Sequence, residues 1–344
     1  MPRLTIDNQQ VEVPEGASVL DAARALGIDI PALCYRDGVP PNTSCMTCLV
    51  RVNDGEKLLP ACGTRAVEGM TVESETEPVR RARRAALELL LGDHLGDCIA
   101  PCEGACPAGI DIPSVIRRVA AGRPAFEGAL PCEACDAPCE RTCRRGVKDE
   151  PVAIRLLMSY AARAAGAPVD GARRRPGRPF SVHVGRVSPE EIDAFMVEAS
   201  PERRVEPADG AAFTSAEAER EAGRCLHCDC RAKDGCKLRD YSALLGARPG
   251  KYRGARRPFE QHVHPQNVVY EPGKCINCGL CIQIAREMGE PLGLTFIGRG
   301  FDVRVSVPFD RPLAEGLERA AAACVEACPT GALAFRVRPE EARR

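Results

Sequence analysis

Cysteines carry most of the reactive chemistry that this sequence offers. Twenty cysteines stand among 344 residues, and most fall into groups with short internal spacings. The stretch KCINCGLCIQIAREMG, which begins at Lys274, has the spacing C-x2-C-x2-C at Cys275, Cys278 and Cys281. Thiolates at this spacing hold iron–sulfur clusters, because soft sulfur suits iron and a tight loop directs three sulfurs at one point. Ala285 stands where such a run would place its fourth cysteine.

A distant Cys-Pro pair offers the missing ligand. In a two-cluster ferredoxin run the fourth cysteine ligates the other cluster, and Cys328 precedes Pro329 in CVEACPTGAL. Ala285 and Ala321 stand where a second cluster would need ligands, which leaves Cys324 unassigned. We therefore expect one [4Fe–4S] cluster with four ligands: Cys275, Cys278, Cys281 and Cys328.

The first 76 residues contain a second group, spaced C-x10-C-x2-C-x13-C, at Cys34, Cys45, Cys48 and Cys62. The elements around it read as a small mixed domain. We predict strands at Leu4–Ile6 and Val11–Val13, then in LVRV and MTVESE, and a helix that Ser18 and Asp21 cap and Gly27 ends.

This order of elements and this spacing resemble the [2Fe–2S] β-grasp domain that begins the large iron–sulfur subunit of respiratory complex I. The diaphorase iron–sulfur subunit of NAD-reducing hydrogenases has a similar domain. The resemblance implies a [2Fe–2S] cluster on the four cysteines. A four-cysteine zinc site is the alternative by ligand chemistry.

A helix follows, because Val79, Ala82, Ala86, Leu89 and Leu90 fall on one face before Gly92. The next segment, GDHLGDCIAPCEGACPAGIDIP, opens with a His-x3-Cys element that is also similar to the complex I subunit.

The continuation and the later stretch CDAPCERTCRRGVKDEPVAIRLL resemble the helical domain of the glutamate synthase small subunit and of dihydropyrimidine dehydrogenase. The resemblance implies two [4Fe–4S] clusters. One set is His94, Cys98, Cys102 and Cys143. In the other set we expect Cys132 to replace the family's Glu or Gln, where Met158 stands, and to join Cys106, Cys135 and Cys139. The alternative for His94 is a residue that caps the helix C-terminus.

The stretch FTSAEAEREAGRCLHCDC resembles the tail of glutamate-synthase-type flavoproteins, but about 60 linker residues stand where their FAD and NADPH domains would be. No G-x-G-x-x-G motif occurs, so we expect this chain to bind no flavin or nucleotide. The last group, C-x2-C-x-C-x5-C, suits a [4Fe–4S] cluster or a structural zinc, with His227 as a bystander. Its members are Cys225, Cys228, Cys230 and Cys236.

The predicted fold class is a multidomain α+β chain with one [2Fe–2S] and four [4Fe–4S] centres, one of which is zinc in the alternative reading. The expected domains are a β-grasp domain (1–76), a helical two-cluster domain (77–165), a linker (166–220), a four-cysteine module (221–250) and a ferredoxin-like domain (251–344).

Composition excludes several other classes. The 47 basic and 48 acidic residues nearly cancel, so we expect no nucleic-acid partner. No window is apolar enough to span a bilayer, and MPRLTIDNQQVEV lacks the apolar run of a secretory signal. We therefore expect a cytoplasmic protein whose cysteines bind metal and do not form disulfides.

These features favour an electron-relay subunit without a catalytic residue of its own. The resemblance implies a flavin-containing, NAD(P)H-binding partner and a second redox partner, such as a hydrogenase or formate dehydrogenase subunit. One alternative is a relay that docks a separate glutamate-synthase-like FAD oxidoreductase in an electron-bifurcating complex. Another is a zinc–thiol scaffold or a redox sensor.

Overall fold

The computed structural model describes residues 1–123, 132, 134–165 and 180–336. These residues form two compact units whose segments alternate along the chain. The first unit contains Met1–His94, Asp234–Arg257 and the described residues from His262 onward. The second contains the described residues of Leu95–Lys233 together with Pro258–Gln261. Part of the predicted linker, 166–179, and the end of the predicted last domain, 337–344, lie outside the described residues.

Strands and helices are both short. The strands are β1 Arg3–Ile6, β2 Gln9–Glu12, β3 Leu49–Val52, β4 Leu58–Pro60, β5 Thr71–Glu73, β6 His262–His264, β7 Val268–Tyr270, β8 Thr295–Ile297, β9 Arg304–Ser306 and β10 Leu333–Phe335. The helices are α1 Val19–Ala25, α2 Glu77–Gly92, α3 Pro101–Ala105, α4 Ile112–Ala120, α5 Pro138–Arg141, α6 Ile154–Ala164, α7 Pro189–Met196, α8 Ser215–Ala222, α9 Lys237–Leu244, α10 Leu280–Glu287, α11 Leu313–Gly316 and α12 Ala321–Ala327. Short 3₁₀ turns occupy Arg144–Val147, Pro272–Lys274, Gly300–Asp302 and Pro308–Asp310.

The N-terminal sheet has the order β2-β1-β5-β3-β4, with β1 and β5 parallel and the other pairs antiparallel. The predicted strands and helix are present, although the second strand lies at Gln9–Glu12 and not at Val11–Val13, and β4 is an addition. Ser18 and Asp21 form the predicted capping box at the start of α1. Leu4 and Ile6, two residues apart on β1, point into the core that α1 covers.

Helix α2 has the predicted extent, and Val79 of the predicted face is buried, but the rest of the buried face differs from the prediction. Leu89 is exposed, whereas Arg83 and Glu88 are buried. Arg83 donates through Nε to the Leu49 carbonyl (2.9 Å), and Glu88 forms an ion pair with Lys251. Apolar periodicity does not detect charged residues that are buried with their partners.

The C-terminal part of the first unit is built around a sheet of order β10-β7-β6 and the β8–β9 hairpin. Val268, Ile284, Leu317 and Leu333 are among the residues of its core. Helices α10 and α12 pack on each other in this region.

The second unit consists mainly of short helices and loops. Its largest core joins α4, α6 and α8 through residues such as Val115 and Leu157. Residues 180–220, which the sequence reading places in a linker, contain α7 and most of α8. Ile192 and Phe195 on α7 are buried in a second core of this unit, and the Phe195 and Phe259 rings stack with centroids 3.8 Å apart.

Glu221 on α8 connects several loops of this unit. Its carboxylate is fully buried and accepts hydrogen bonds from Ala153 N (2.7 Å), Val205 N (2.8 Å) and Arg224 Nη1 (2.9 Å). Arg224 is itself fully buried and also contacts Asp149 (3.1 Å). One carboxylate therefore satisfies two buried amides and a buried guanidinium.

We predict that Glu221→Ala lowers the free energy of unfolding by roughly 3 to 5 kcal/mol, because it leaves a buried charge and two buried amides without a partner. Urea titration of the anaerobic, metal-loaded protein, followed by circular dichroism, measures the change. Glu219→Ala on the same helix is the control, because Glu219 is exposed and its carboxylate accepts a hydrogen bond from the exposed Ser215 hydroxyl (3.1 Å). An equal loss in both variants would contradict the prediction.

Candidate iron–sulfur sites

The four cysteines of the N-terminal group come together in one buried place. The Cys34 and Cys45 sulfurs are 3.3 Å apart, and the Cys48 and Cys62 sulfurs are 3.4 Å apart. All four side chains are buried. Ala61, beside Cys62, donates to the Cys48 carbonyl (2.9 Å), so β3 and β4 hold these two cysteines together.

The pKa values of these four thiols are shifted because their sulfurs lie close together. The hydrogen bond between Cys34 and Cys45 lowers the pKa of Cys34 and raises that of Cys45. The bond between Cys48 and Cys62 lowers the pKa of Cys48 to about 7, while bonds to Cys34 and Cys48 raise that of Cys62. Four thiolates cannot share this buried space without cations, and paired, buried sulfurs fit the four-cysteine ligand set of a [2Fe–2S] cluster.

The C-terminal group is also assembled. Burial raises the pKa of Cys275 to about 11, with a smaller effect from the Cys328 thiolate. Burial likewise raises the pKa of Cys281, and charges on Cys275, Cys278, Cys324 and Cys328 raise it further. The four predicted ligands and the unassigned Cys324 therefore lie in one neighbourhood.

Two residues with a left-handed backbone conformation shape the loop that carries Cys275, Cys278 and Cys281. Asn277 has φ of +54°, and its backbone N–H donates to the Cys275 sulfur (3.4 Å). Gly279, with φ of +75°, immediately precedes α10 and places Cys281 in its first turn; a side chain at this φ would be strained. Cys324 is fully buried, and its thiol donates to the Cys281 carbonyl (3.6 Å).

The N-terminal and C-terminal cysteine loops touch each other within the first unit. Asn42 donates through Nδ2 to the Cys278 carbonyl (2.6 Å). Gln283 on α10 donates to the Pro40 carbonyl (3.1 Å) and to Asn42 Oδ1 (3.2 Å). Burial raises the pKa of Cys278, and a charge on Cys34 adds to that effect. The sequence reading missed Asn42 and Gln283, which carry no motif.

In the second unit, four cysteines from distant parts of the sequence line one cavity: Cys102, Cys143, Cys225 and Cys228. Burial raises the pKa of Cys102, and charges on the other three raise it further. Burial also raises the pKa of Cys225 to about 12, with a further contribution from Cys143. The sequence reading places the same four residues in two different sites.

Several charged residues of the second unit form ion pairs, and one of them, Arg144, lines this cavity. Arg117 forms a two-pronged ion pair with Asp229 (2.7 and 3.0 Å), and Lys233 bonds to Asp111 (2.7 and 2.6 Å). Burial opposes ionisation of Asp229, but Arg117 and Lys233 act against it, and the pKa of this carboxyl is lowered overall. Arg144 pairs with buried Asp97.

The second predicted set of the helical domain is partly assembled. Burial raises the pKa of Cys139 to about 12, and charges on Cys106 and Cys132 contribute. Cys135 donates from its backbone N–H to the Cys132 carbonyl (3.1 Å). Cys106 and Cys132 pack against the core that contains Met158.

The remaining candidates have other neighbours. Cys98 is not in the cavity lining; its sulfur accepts a hydrogen bond from Val182 N (3.4 Å). Burial lowers the pKa of His94 to about 4, and Lys274 contributes. Cys236 lies in the first unit, where its thiol donates to the Pro329 carbonyl (3.8 Å). Cys230 is buried in the second unit.

His227 is the last of the singled-out residues. It has φ of +47°, and burial lowers its pKa to about 3, with smaller effects of Arg117 and Arg231. In the described ranges, no three Cys, His, Asp or Glu side chains are placed to hold a single metal ion. No helix in those ranges combines the length and apolar character needed to cross a membrane.

Residues 2–77 match the family model of a 2Fe-2S iron–sulfur cluster binding domain. The N-terminal domain is a [2Fe–2S] domain. The predicted resemblance of this region is thereby confirmed, and the ligand set fits the four cysteines that the fold brings together.

The chain is also similar to subunits of larger complexes. It is 44% identical over 98 residues to an NADH-quinone oxidoreductase subunit of Rhizobium meliloti (strain 1021), covering 28% of this chain and 12% of that protein. It is 43% identical over 104 residues to the NADP-reducing hydrogenase subunit HndD of Solidesulfovibrio fructosivorans, covering 29% and 18%. The aligned region thus spans less than a fifth of either relative.

One solved structure that matches the chain is that of an NAD+-reducing [NiFe]-hydrogenase in the H2-reduced state. The match covers 97% of this chain and 87% of that chain, with 19% identity and a TM-score of 0.45. The predicted resemblance to NADH dehydrogenase and NAD(P)-reducing hydrogenase subunits is confirmed by the curated relatives.

We predict that Cys62→Ser removes the [2Fe–2S] signal from the electron paramagnetic resonance (EPR) spectrum of the dithionite-reduced protein, with a loss of about two irons. The physical reason is that Cys62 is one half of a buried sulfur pair. Iron and sulfide analysis of anaerobically purified protein measures the change. Cys324→Ser is the matched control, because Cys324 is equally buried but lies outside every expected ligand set. A [2Fe–2S] signal retained in Cys62→Ser would contradict the assignment.

Proposed function

We propose that this chain is the electron-relay subunit of a cytoplasmic, NAD(P)H-linked oxidoreductase complex. The observation that supports this most is the contact between two cysteine loops, in which Asn42 bonds to the Cys278 carbonyl (2.6 Å). Iron–sulfur clusters exchange single electrons and carry no substrate chemistry of their own here. Two such sites with touching loops are suited to passing electrons from one to the other.

The chain's own residues give these sites a shared environment. The four cysteine side chains of the N-terminal group are buried, so the protein interior excludes water from their sulfurs. Asn42 and Gln283 fix the separation of the loops through three hydrogen bonds. Burial and dipoles around sulfur are the means by which a protein tunes the potential of a cluster.

We propose three further [4Fe–4S] sites in place of the four expected from the sequence. The C-terminal set and the Cys106 set keep their predicted members. The third set is the cavity lining, which supports a site made of Cys102, Cys143, Cys225 and Cys228. Four half-buried cysteines around one cavity fit the four-cysteine ligand set of a [4Fe–4S] cluster. In this proposal His94, Cys98, Cys230 and Cys236 are not ligands.

The proposed partners are a flavin-containing, NAD(P)H-binding subunit and a second redox subunit of the hydrogenase, formate dehydrogenase or NADH dehydrogenase type. The names of the relatives support this class, since both are subunits of NAD(P)-linked oxidoreductases. Anaerobic purification from the native host, with identification of copurified flavoproteins, tests it. An FMN-containing subunit would support the complex-I-like assembly, whereas a glutamate-synthase-like FAD oxidoreductase would favour the bifurcating alternative.

We predict that Cys143→Ser and Cys225→Ser each remove about four irons and that the double variant removes no more. The reason is that both sulfurs line the same cavity. If the sequence-based sets hold instead, the double variant loses about eight irons. The total iron content also distinguishes the two assignments: we expect about 14 irons per chain for the proposed sites and about 18 for the sequence-based sets. Zinc analysis of the same samples tests the zinc alternative, and Cys98→Ser is the control that should retain all the iron.

We predict that NADH or NADPH reduces both the [2Fe–2S] and the C-terminal site in the purified complex. Because the loops touch, the reduced C-terminal site should accelerate the spin relaxation of the [2Fe–2S] signal. Power-saturation EPR measures this effect.

Cys328→Ser should slow that relaxation while the [2Fe–2S] signal itself remains. Cys143→Ser, which alters a different site, is the control and should leave the relaxation as it is. Sites that stay oxidised with both nucleotides and every copurified partner would contradict the relay.

A further inference from the structure

Arg83 is a fully buried arginine beside the [2Fe–2S] site. It lies on α2 and has 0% exposure. Its Nε donates to the carbonyl of Leu49, the residue that follows Cys48 (2.9 Å). Helix α2 thereby places a positive charge beside the segment that carries Cys48.

Arg83 shares its acidic partner, Glu75, with Arg80. Glu75 accepts from Arg83 Nη1 at 3.2 Å, but its side chain is 52% exposed and it accepts a shorter bond from Arg80 Nη1 (2.6 Å). The other terminal nitrogen of Arg83, Nη2, is buried and has no hydrogen-bond partner within the described residues. A buried guanidinium normally has all its donors satisfied, so part of its compensation must come from another group.

The cysteine site is a candidate for that group, because Arg83 Nε binds the carbonyl of the residue that follows Cys48. Burial lowers the pKa of Arg83, and charges on Glu75, Cys48 and Asp7 oppose this change. Arg83 in turn acts on the Cys48 thiolate. Four thiolates that hold a [2Fe–2S] cluster give a net negative charge, and reduction adds a further negative charge to it.

We propose that Arg83 is the buried counter-charge that raises the reduction potential of the [2Fe–2S] site. A fixed positive charge in a poorly solvated interior favours the more negative, reduced form. The proposal goes beyond the relay function and rests only on the [2Fe–2S] domain, so it holds or fails independently of the partners.

The experiment is a redox titration of the full-length protein, purified anaerobically and followed by the [2Fe–2S] EPR signal. At the midpoint potential of the unaltered protein, Arg83→Gln should lower the ratio of reduced to oxidised site about tenfold or more, equivalent to about 59 mV for a one-electron couple. Arg83→Lys, which keeps the charge, should stay closer to the unaltered protein than Arg83→Gln.

Arg80→Gln is the matched control. Arg80 is on the same helix and bonds to the same Glu75, but its side chain is 39% exposed, so solvent screens its charge. The ratio of reduced to oxidised site in Arg80→Gln should therefore change far less than in Arg83→Gln. An unchanged ratio in metal-loaded Arg83→Gln, or an equal change in Arg80→Gln, would overturn the proposal.

A second variant decides the matter if Arg83→Gln does not retain its metal. Glu75→Gln keeps Arg83 but removes the carboxylate that partly neutralises it. The ratio of reduced to oxidised site should then rise, which is the opposite direction. A ratio that stays the same or falls in Glu75→Gln would overturn the proposal.

Discussion

Crowding of buried thiol groups is the constraint on which the rest of this structure depends. In the N-terminal site two sulfur pairs lie 3.3 and 3.4 Å apart, and in the second unit a charge on any of three neighbours opposes ionisation of Cys102. Sulfurs so placed cannot all be thiolates unless cations lie among them. We therefore expect the order of the loops around these sulfurs to depend on metal binding.

Buried arginines balance negative charge in both units. The largest fully buried side chains in the described residues are Arg83, Arg145 and Arg224. Arg145 and Arg224 are satisfied by Asp149, Glu221 and backbone carbonyls, so their role is structural. Arg83 differs, because its Nη2 has no hydrogen-bond partner among the described residues and its acceptor, the Leu49 carbonyl, follows Cys48 directly in the sequence. The same residue type therefore serves two purposes, and the completeness of its hydrogen bonds distinguishes them.

Local features were predictable from the sequence, whereas long-range assembly was not. The capping box at Ser18 and the cysteine spacings of the two sites in the first unit depend on residues close in sequence or on a known domain pattern. Cys102 and Cys225 line the same cavity but are over 100 positions apart in the sequence, and no spacing rule reaches that far. Helix α2 shows a different limit, because Arg83 and Glu88 are buried through partners on other segments.

The polar composition of residues 180–220 hid a structured segment for a related reason. A few apolar residues, such as Ile192 and Phe195, suffice to anchor a short helix when its N-terminus is capped. Ser188 and Glu191 form that cap, and Glu191 also accepts from Phe259 N (2.7 Å). Counting apolar residues along the sequence therefore underestimates order in a protein whose cores are small.

Polar contacts also determine how the two sites of the first unit face each other. Thr43 and Met46 in one loop and Asn277 and Gly279 in the other all have positive φ, which bends each loop tightly around its sulfurs. Tight loops expose backbone carbonyls, and Asn42 binds one of them at Cys278. An apolar contact would hold the loops together without fixing their register, whereas a hydrogen bond to one carbonyl fixes both the distance and the direction. Because electron transfer depends on the separation of the sites, a hydrogen bond suits a relay better than an apolar contact.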